Sequence, residues 1–192
     1  AGTFSGSGIF SLCDQPKDLD AGANLISFYA LPEDASISNV MSSIEGVATG
    51  VIGEGVAAIN NDGTWAGSLT DINAESGYWL SMLEETDFSF YGYAVDPGLE
   101  YSLHSGANLI SFPSHGSIGI GDGIPDDVED QFTGIISEGE AAMNNGDTWV
   151  GSLTAFVGTK GYWVIAQSAL TFSYELTNLS EDAATRLSPD RA

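Results

Sequence analysis

The chain has 192 residues, of which 43% are hydrophobic, and its 27 acidic against 4 basic side chains give a formal net charge of −23. So few lysines and arginines exclude a nucleic acid or an anionic membrane surface as partner, because both require their negative charge to be neutralised. No run of about 20 apolar residues is present, so the sequence predicts no membrane insertion. The hydrophobic content is that of a globular protein.

The N-terminal segment, residues 3–13, alternates between apolar or glycine positions and mostly hydroxyl-bearing ones. This alternation predicts a β-strand with one buried face, and its glycines allow another backbone to approach closely. The strand either completes the first part of the fold or adds to the sheet edge of a second copy of the protein. In the second case the assembly contact would be made by one face of the strand: Phe4, Gly6, Gly8, Phe10 and Leu12.

The seven residues 22–28, Gly-Ala-Asn-Leu-Ile-Ser-Phe, recur unchanged at residues 106–112. The same offset of 84 residues aligns later segments without a gap, among them Gly-Tyr-Trp at 77–79 and 161–163. This pattern indicates a tandem duplication, joined by a linker short enough for the two units to pack together. The chain is accordingly divided into an N-terminal extension (1–21), a first repeat (22–93), a connecting segment (94–105), a second repeat (106–175) and a polar tail (176–192).

Within each repeat the sequence predicts mostly strands. In the first repeat, apolar side chains at helical spacing behind a serine N-cap predict a short helix over residues 36–44. The remaining elements are one glycine-interrupted strand (47–59), a hairpin turn (60–63), a further strand (64–69) and a closing hairpin (78–83 with 87–93). The fold class that follows is mainly β, with two tandem, similar β-sandwich-like or barrel-like domains that each carry one short helix.

The motifs of the two repeats resemble a known module. The pattern Gly-x-Asn-Leu-Ile-Ser-Phe, Thr-Gly-Ile-Ile-x-Glu-Gly, Trp-x-Gly-Ser-Leu and Gly-Tyr-Trp is similar to an uncharacterised tandem β-rich module of large secreted and surface proteins of aquatic bacteria. There the module accompanies adhesive or anchoring architecture, so the resemblance implies a surface role and assigns no functional residues. It covers both repeats but neither the first strand nor the tail.

An acidic run in the second repeat, residues 121–130, has two interpretations. It resembles one acidic calcium-binding repeat of the thrombospondin type 3 kind, and clustered carboxylates suit Ca²⁺. The candidate ligands are Asp122, Asp126, Asp127 and Asp130. Alternatively the run begins a helix, with Asp122 as N-cap and the other acids favoured by the helix dipole. The first repeat predicts the same helix without acids, so the helix start is favoured and no cofactor is expected, with Ca²⁺ as the alternative.

The Tyr-Trp pair of each repeat has two interpretations: its rings pack in the hydrophobic core, or they bind a ligand. Adjacent residues of a strand point to opposite faces, so one ring of each pair is expected to be buried. An exposed ring could instead stack on the apolar face of a sugar. The candidate glycan contacts are Tyr78 and Tyr162. Repetition of both positions favours the core role.

The sequence shows no catalytic constellation. Its two histidines, His104 and His115, have no counterpart in the other repeat, and neither a nucleophile elbow nor a zinc pattern is present. We therefore expect a non-enzymatic structural protein, such as a filament or surface-layer subunit that assembles head to tail. Its partners would be further copies of itself or a larger surface protein, and the tail residues Arg186 and Arg191 would contact an acidic neighbour.

Two further expectations concern location and an alternative function. The chain begins at Ala1 rather than at methionine, as a mature end after signal cleavage does, so an extracellular or cell-surface location is expected. The alternative function is a carbohydrate-binding or calcium-dependent adhesion module of a larger secreted protein, with a polysaccharide as partner.

Overall fold

The structure, a computed structural model, describes residues 12–146 and 148–180. Six of the residues expected at an assembly contact lie outside this part of the chain: Phe4, Gly6, Gly8, Phe10, Arg186 and Arg191. Among the described residues, no helix has the length and apolar character needed to cross a membrane.

Residues 12–94 form ten strands and one short α-helix. They are β1 (Leu12–Asp14), β2 (Lys17–Leu19), β3 (Gly22–Ile26), β4 (Ala30–Leu31), α1 (Ile37–Val40), β5 (Ala48–Ile52), β6 (Ala57–Asn61), β7 (Thr64–Gly67), β8 (Tyr78–Met82), β9 (Thr86–Phe88) and β10 (Tyr91–Ala94). A 3₁₀ turn at Ser42–Ile44 follows α1. The main sheet is antiparallel with the order β3-β8-β5-β6-β7, and β2-β9 and β1-β10-β4 form two smaller sheets.

The second half repeats this plan. Its elements are β11 (Tyr101–Leu103), β12 (Gly106–Ile110), β13 (Ser117–Gly119), α2 (Ile120–Gly123), α3 (Asp126–Glu129), β14 (Phe132–Ser137), β15 (Glu140–Asn144), β16 (Trp149–Gly151), β17 (Ala155–Val157), β18 (Tyr162–Ala166) and β19 (Leu170–Phe172). The main sheet has the order β12-β18-β14-β15-β16, which matches the first repeat strand for strand, and β11-β19 and β13-β17 form two small sheets. The two repeats are therefore copies in their main sheets and in the small sheets β2-β9 and β11-β19, as the duplication predicts, and they differ in the remaining small sheets, β1-β10-β4 and β13-β17.

Each repeat has its own core on the inner side of its main sheet. In the first core Phe28, Tyr78 and Phe88 pack edge to face, with ring centroids 6.0 and 6.4 Å from Phe28. The second core uses their equivalents Phe112, Tyr162 and Phe172. The expected fold class is confirmed as mainly β, but the barrel-like variant is wrong, because both main sheets are open among the described residues.

Three local predictions need correction. Residues 47–59 form two strands, because a turn closed by the Gly53 N–H on the Val56 carbonyl (2.9 Å) separates β5 from β6, with Gly55 at a φ of +72°. Strand β9 does not pair with β8, because β8 is already paired on both sides by β3 and β5; β9 pairs with β2 instead.

The third correction concerns the helix of the second repeat. It is divided into α2 and α3, since Pro125 has no N–H to continue α2 and takes the N-cap position of α3. The prediction of Asp122 as N-cap is also wrong, because Asp122 lies inside the first turn of α2, whose N-cap is Gly119. The equivalent helix of the first repeat begins at the expected serine, Ser36, although the serine hydroxyl makes no capping hydrogen bond.

Candidate functional site

The two repeats are joined by a seam of reciprocal contacts, made by the ends of β3 and β12 and the residues just before β18 and β8. The N–H of Ser27 donates to the Thr159 carbonyl (2.9 Å), and the N–H of Gly161 donates back to the Leu25 carbonyl (3.2 Å). The residues at the 84-residue offset make the same two bonds with the repeats exchanged. The N–H of Ser111 donates to the Glu75 carbonyl (3.0 Å), and the N–H of Gly77 donates to the Leu109 carbonyl (3.1 Å). The seam thus has an internal pseudo-twofold symmetry, in which each repeat contacts the other through the same residues.

Two glutamates complete the seam. Strands β3 and β12 are edge strands of their main sheets, and an edge leaves backbone N–H groups unpaired. Glu138 accepts the N–H of Leu25 (2.9 Å), and its equivalent Glu54 accepts the N–H of Leu109 (2.8 Å). A carboxylate of one repeat therefore caps the open edge of the other, and charged acceptors make such bonds strong.

Two glycines set the closeness of the seam. A Cβ at Gly77 would lie 2.8 Å from the carbonyl oxygen of Ile110, and a Cβ at Gly161 would lie 2.7 Å from that of Ile26. The same two glycines face the side chains of Leu109 and Leu25 respectively. These leucines are 3% and 1% exposed but belong to neither core, so the opposite repeat is what covers them. No larger residue than glycine fits at either position.

The side chains of the repeated heptapeptide divide between several roles. Asn24 exchanges two side-chain hydrogen bonds of 2.8 Å with the backbone of Asp20, which fixes the start of β3. Ile26 and Phe28 enter the core, and the Ser27 hydroxyl donates to the Lys160 carbonyl across the seam (2.6 Å). Part of the identity between the repeats thus comes from their association rather than from folding of either one.

The two ends of the seam differ chemically. At one end His104 Nε2 lies 2.6 Å from Glu54 Oε1, beside a shallow groove of about 310 Å³ that Glu75 and Tyr101 also line. The hydrogen bond to Glu54 and a second one to the Ser105 carbonyl raise the pKa of His104 above its ordinary value. Histidine 104 therefore holds the seam most strongly when it is protonated.

This geometry predicts a pH-dependent stability. A raised folded-state pKa stabilises the fold fully below the unfolded value of about 6.5, and this contribution is lost as the pH rises through the folded-state value. The melting temperature of the wild type should therefore fall more than that of His104→Gln between about pH 6 and pH 8. Thermal unfolding followed by circular dichroism at a series of pH values measures the difference. Parallel curves for the two proteins would contradict the role of His104.

At the other end of the seam lie the two lysines of the chain. Lys160 Nζ is 3.3 Å from Glu140 Oε2. Burial lowers the pKa of Lys17, and the nearby charges of Glu138 and Lys160 act on it in opposite directions. In a chain of net charge −23, the meeting of both lysines at this point offsets the negative charge of Glu138 and Glu140.

The outer faces of the two main sheets are a second notable surface. The five strands β3, β5, β6, β7 and β8 contain no Asp, Glu, Lys, Arg or His, and their equivalents in the second repeat contain only Glu140. Several large apolar side chains on these strands are exposed to solvent: Ile52 (53%), Ile59 (62%), Ile136 (44%), Met143 (68%) and Val150 (58%).

The candidate glycan contacts lie in the cores. Tyr78 and Tyr162 are 1% and 0% exposed, and their hydroxyls accept the N–H groups of Asn73 (2.8 Å) and Val157 (2.7 Å). Burial raises the pKa of both hydroxyls. One ring of each pair is thus buried, as predicted, but it is the tyrosine, so neither tyrosine offers a ring face to a sugar.

The four candidate calcium ligands are all exposed. Asp122 lies on α2, Asp126 and Asp127 form the first turn of α3, and Asp130 is its C-cap. Within residues 12–146 and 148–180 no three Asp, Glu, His or Cys side chains come together as a metal-binding group. The structure therefore does not bring these four carboxylates together.

The remaining assembly candidate, Leu12, lies in β1 and is opposite Tyr93 of β10. The anchor of this segment is Gln15, which is 2% exposed. Its amide donates to the Ser27 carbonyl and accepts from the N–H groups of Tyr29 and Ala30, all at 3.1 Å. The described end of the N-terminal extension is thus attached to the first repeat of its own chain.

Sequence reasoning missed the seam residues Glu54, Glu138, Gly77 and Gly161. The available signal was their identity at the 84-residue offset, but that identity is equally typical of core packing. Comparison with known proteins adds no candidate, because no protein-family model, curated protein or solved structure matches this chain.

Proposed function

We propose that the protein is a non-enzymatic structural subunit of an extracellular or cell-surface assembly, built by association of copies of the same module. The observation that supports this proposal is the seam. The residues that the two repeats share include those that join one repeat to the other, among them Ser27 with Ser111, Glu54 with Glu138 and Gly77 with Gly161. A module that already binds its own copy within one chain is suited to repeated assembly.

The route of assembly that we propose is head to tail. The N-terminal strand of residues 3–13 would add to a sheet edge of the next copy, while Arg186 and Arg191 would contact its acidic surface. A contact of this kind that does not close into a ring produces a filament. Because β1 pairs with β10 of its own repeat and Gln15 is anchored there, the contact that we propose uses the residues before β1.

Deletion of residues 1–11 tests the route without removing β1 or its anchor. The full chain and the deletion variant are compared by sedimentation velocity and negative-stain electron microscopy over a range of protein and salt concentrations. Salt is varied because screening weakens the repulsion between copies of net charge −23. We expect polymers of the full chain and none, or far fewer, of the variant.

The possible outcomes separate the function from the route. A full chain that stays monomeric at every concentration and salt level contradicts the structural role. Polymers of equal length and number from both proteins leave the structural role in place but exclude the N-terminal strand as the connection.

A further inference from the structure

The uncharged character of the two main sheets is unexpected for this chain. Charged residues make up 16% of the sequence, yet the strands of the first main sheet have none and those of the second only Glu140. Solvent-facing sheet surfaces normally carry polar and charged side chains. Large apolar side chains that are exposed together on such a surface are typical of an interaction site.

The apolar character is repeated at equivalent exposed positions. Ile52 corresponds to Ile136, and Ile59 corresponds to Met143; all four are between 44% and 68% exposed. In the register of the sheets Ile59 lies opposite Gly50 and Ala66, and Met143 opposite Gly134 and Val150, so each repeat presents a continuous apolar strip. Core packing cannot explain this repetition, because these side chains do not enter a core.

Charge indicates which partner fits these strips. Two chains that each carry a net charge of −23 repel one another over most of their surface, and the repulsion is weakest where neither has a charge. A basic partner would be attracted to the acidic surfaces and would gain nothing from an uncharged face. A second copy of this chain presents the same uncharged apolar face and so matches the strip in both charge and chemistry.

We propose that the outer faces of the two main sheets are the surfaces on which separate copies of the protein pack against each other, sheet on sheet. The inference rests on the proposed structural role and adds a second contact between copies to the head-to-tail one. Two sheets that pack face to face lie about 10 Å apart with interdigitated side chains. Each chain has one strip per repeat, so a chain that uses both binds two neighbours, and the assembly grows.

Charged substitutions at the centre of each strip test this contact. Ile59→Glu and Met143→Glu, combined in one chain, place an unpaired charge in each proposed interface, which is costly when it is buried. Both positions are exposed in the free chain, so the fold should be unaffected, and circular dichroism verifies this. We expect the protein concentration at half-assembly to rise about tenfold or more. The control Ser43→Glu with Ser168→Glu adds the same charge at exposed positions outside the main sheets. It should change the protein concentration at half-assembly much less.

Oxidation of methionine provides a readout in the unmodified protein. Of the three methionines, Met41 and Met82 are 0% and 5% exposed, whereas Met143 is 68% exposed. Brief treatment with hydrogen peroxide converts an accessible thioether to the sulfoxide, with the peroxide reduced to water. Mass spectrometry should find Met143 oxidised in the monomer and protected several-fold in the polymer.

Each result has a definite consequence. If the wild type assembles and the double variant assembles equally well, with Met143 equally oxidised in both states, the sheet faces are not the contact and the structural role stands. If the wild type never assembles, both proposals are wrong. If the monomer binds microcrystalline cellulose or chitin and the same two substitutions abolish this binding, the sheet faces bind a flat polysaccharide, and the proposal that they bind a second copy is wrong.

Discussion

Replacement of Phe112 by alanine is expected to destabilise the protein by about 3–5 kcal/mol, the range for a fully buried aromatic side chain. Phe112 is 0% exposed, and its ring lies 5.1 Å from that of Tyr174 and 5.8 Å from that of Phe156. For a chain of this size the melting temperature should fall by about 10 °C. Thermal and denaturant unfolding followed by circular dichroism measures both quantities.

The shape of this transition also tests the seam. Phe112 is in the second repeat, immediately after the seam residue Ser111. Because the seam joins both repeats through reciprocal hydrogen bonds, we expect a single transition that moves as a whole. Met143→Ala, at an exposed position, is the control and should change stability by less than about 0.5 kcal/mol. A second transition that remains at the wild-type temperature would show that the repeats unfold independently.

The repeat plan could be predicted from the sequence because duplication is visible as identity at a fixed offset. Equal sequences in equal order give the same strand order, and both main sheets have it. The alternation rule also predicted that one ring of each Tyr-Trp pair would be buried. That rule places neighbours on opposite faces but does not say which face is inward, so it could not identify Tyr78 and Tyr162 as the core rings.

Pairing between distant strands was the least predictable feature. A strand such as β9 follows β8 closely in sequence, but its partner depends on which edges remain open after the main sheet forms. The contacts of the seam join residues that are still further apart in sequence, since Glu54 and Leu109 are separated by 55 residues. A glutamate that caps an edge strand has the same sequence pattern as any exposed glutamate in a turn. Local patterns therefore predict the elements of this fold but not the surfaces through which its halves meet.

Substitution of Gly77 or Gly161 by alanine is expected to disrupt the seam while both cores remain intact. The added Cβ would lie 2.8 or 2.7 Å from a backbone carbonyl oxygen of the other repeat, and a backbone cannot move aside as a flexible side chain can. Overpacking of this kind costs about 1–3 kcal/mol, and the double variant should lose more than either single one. Denaturant unfolding of the two single variants and the double variant measures these losses.

The matched control for these substitutions is Gly46→Ala. Gly46 is exposed, has no atom within 4 Å of an added Cβ and has no positive φ. Alanine there should be neutral or should stabilise the fold by about 0.4–1 kcal/mol, because it lowers the conformational entropy of the unfolded chain. A disrupted seam should also uncouple the repeats, so the Gly77→Ala, Gly161→Ala protein is expected to unfold in two steps. If the double variant keeps the stability and the single transition of the wild type, the identity of these glycines has another cause, and the seam is not what holds the repeats together.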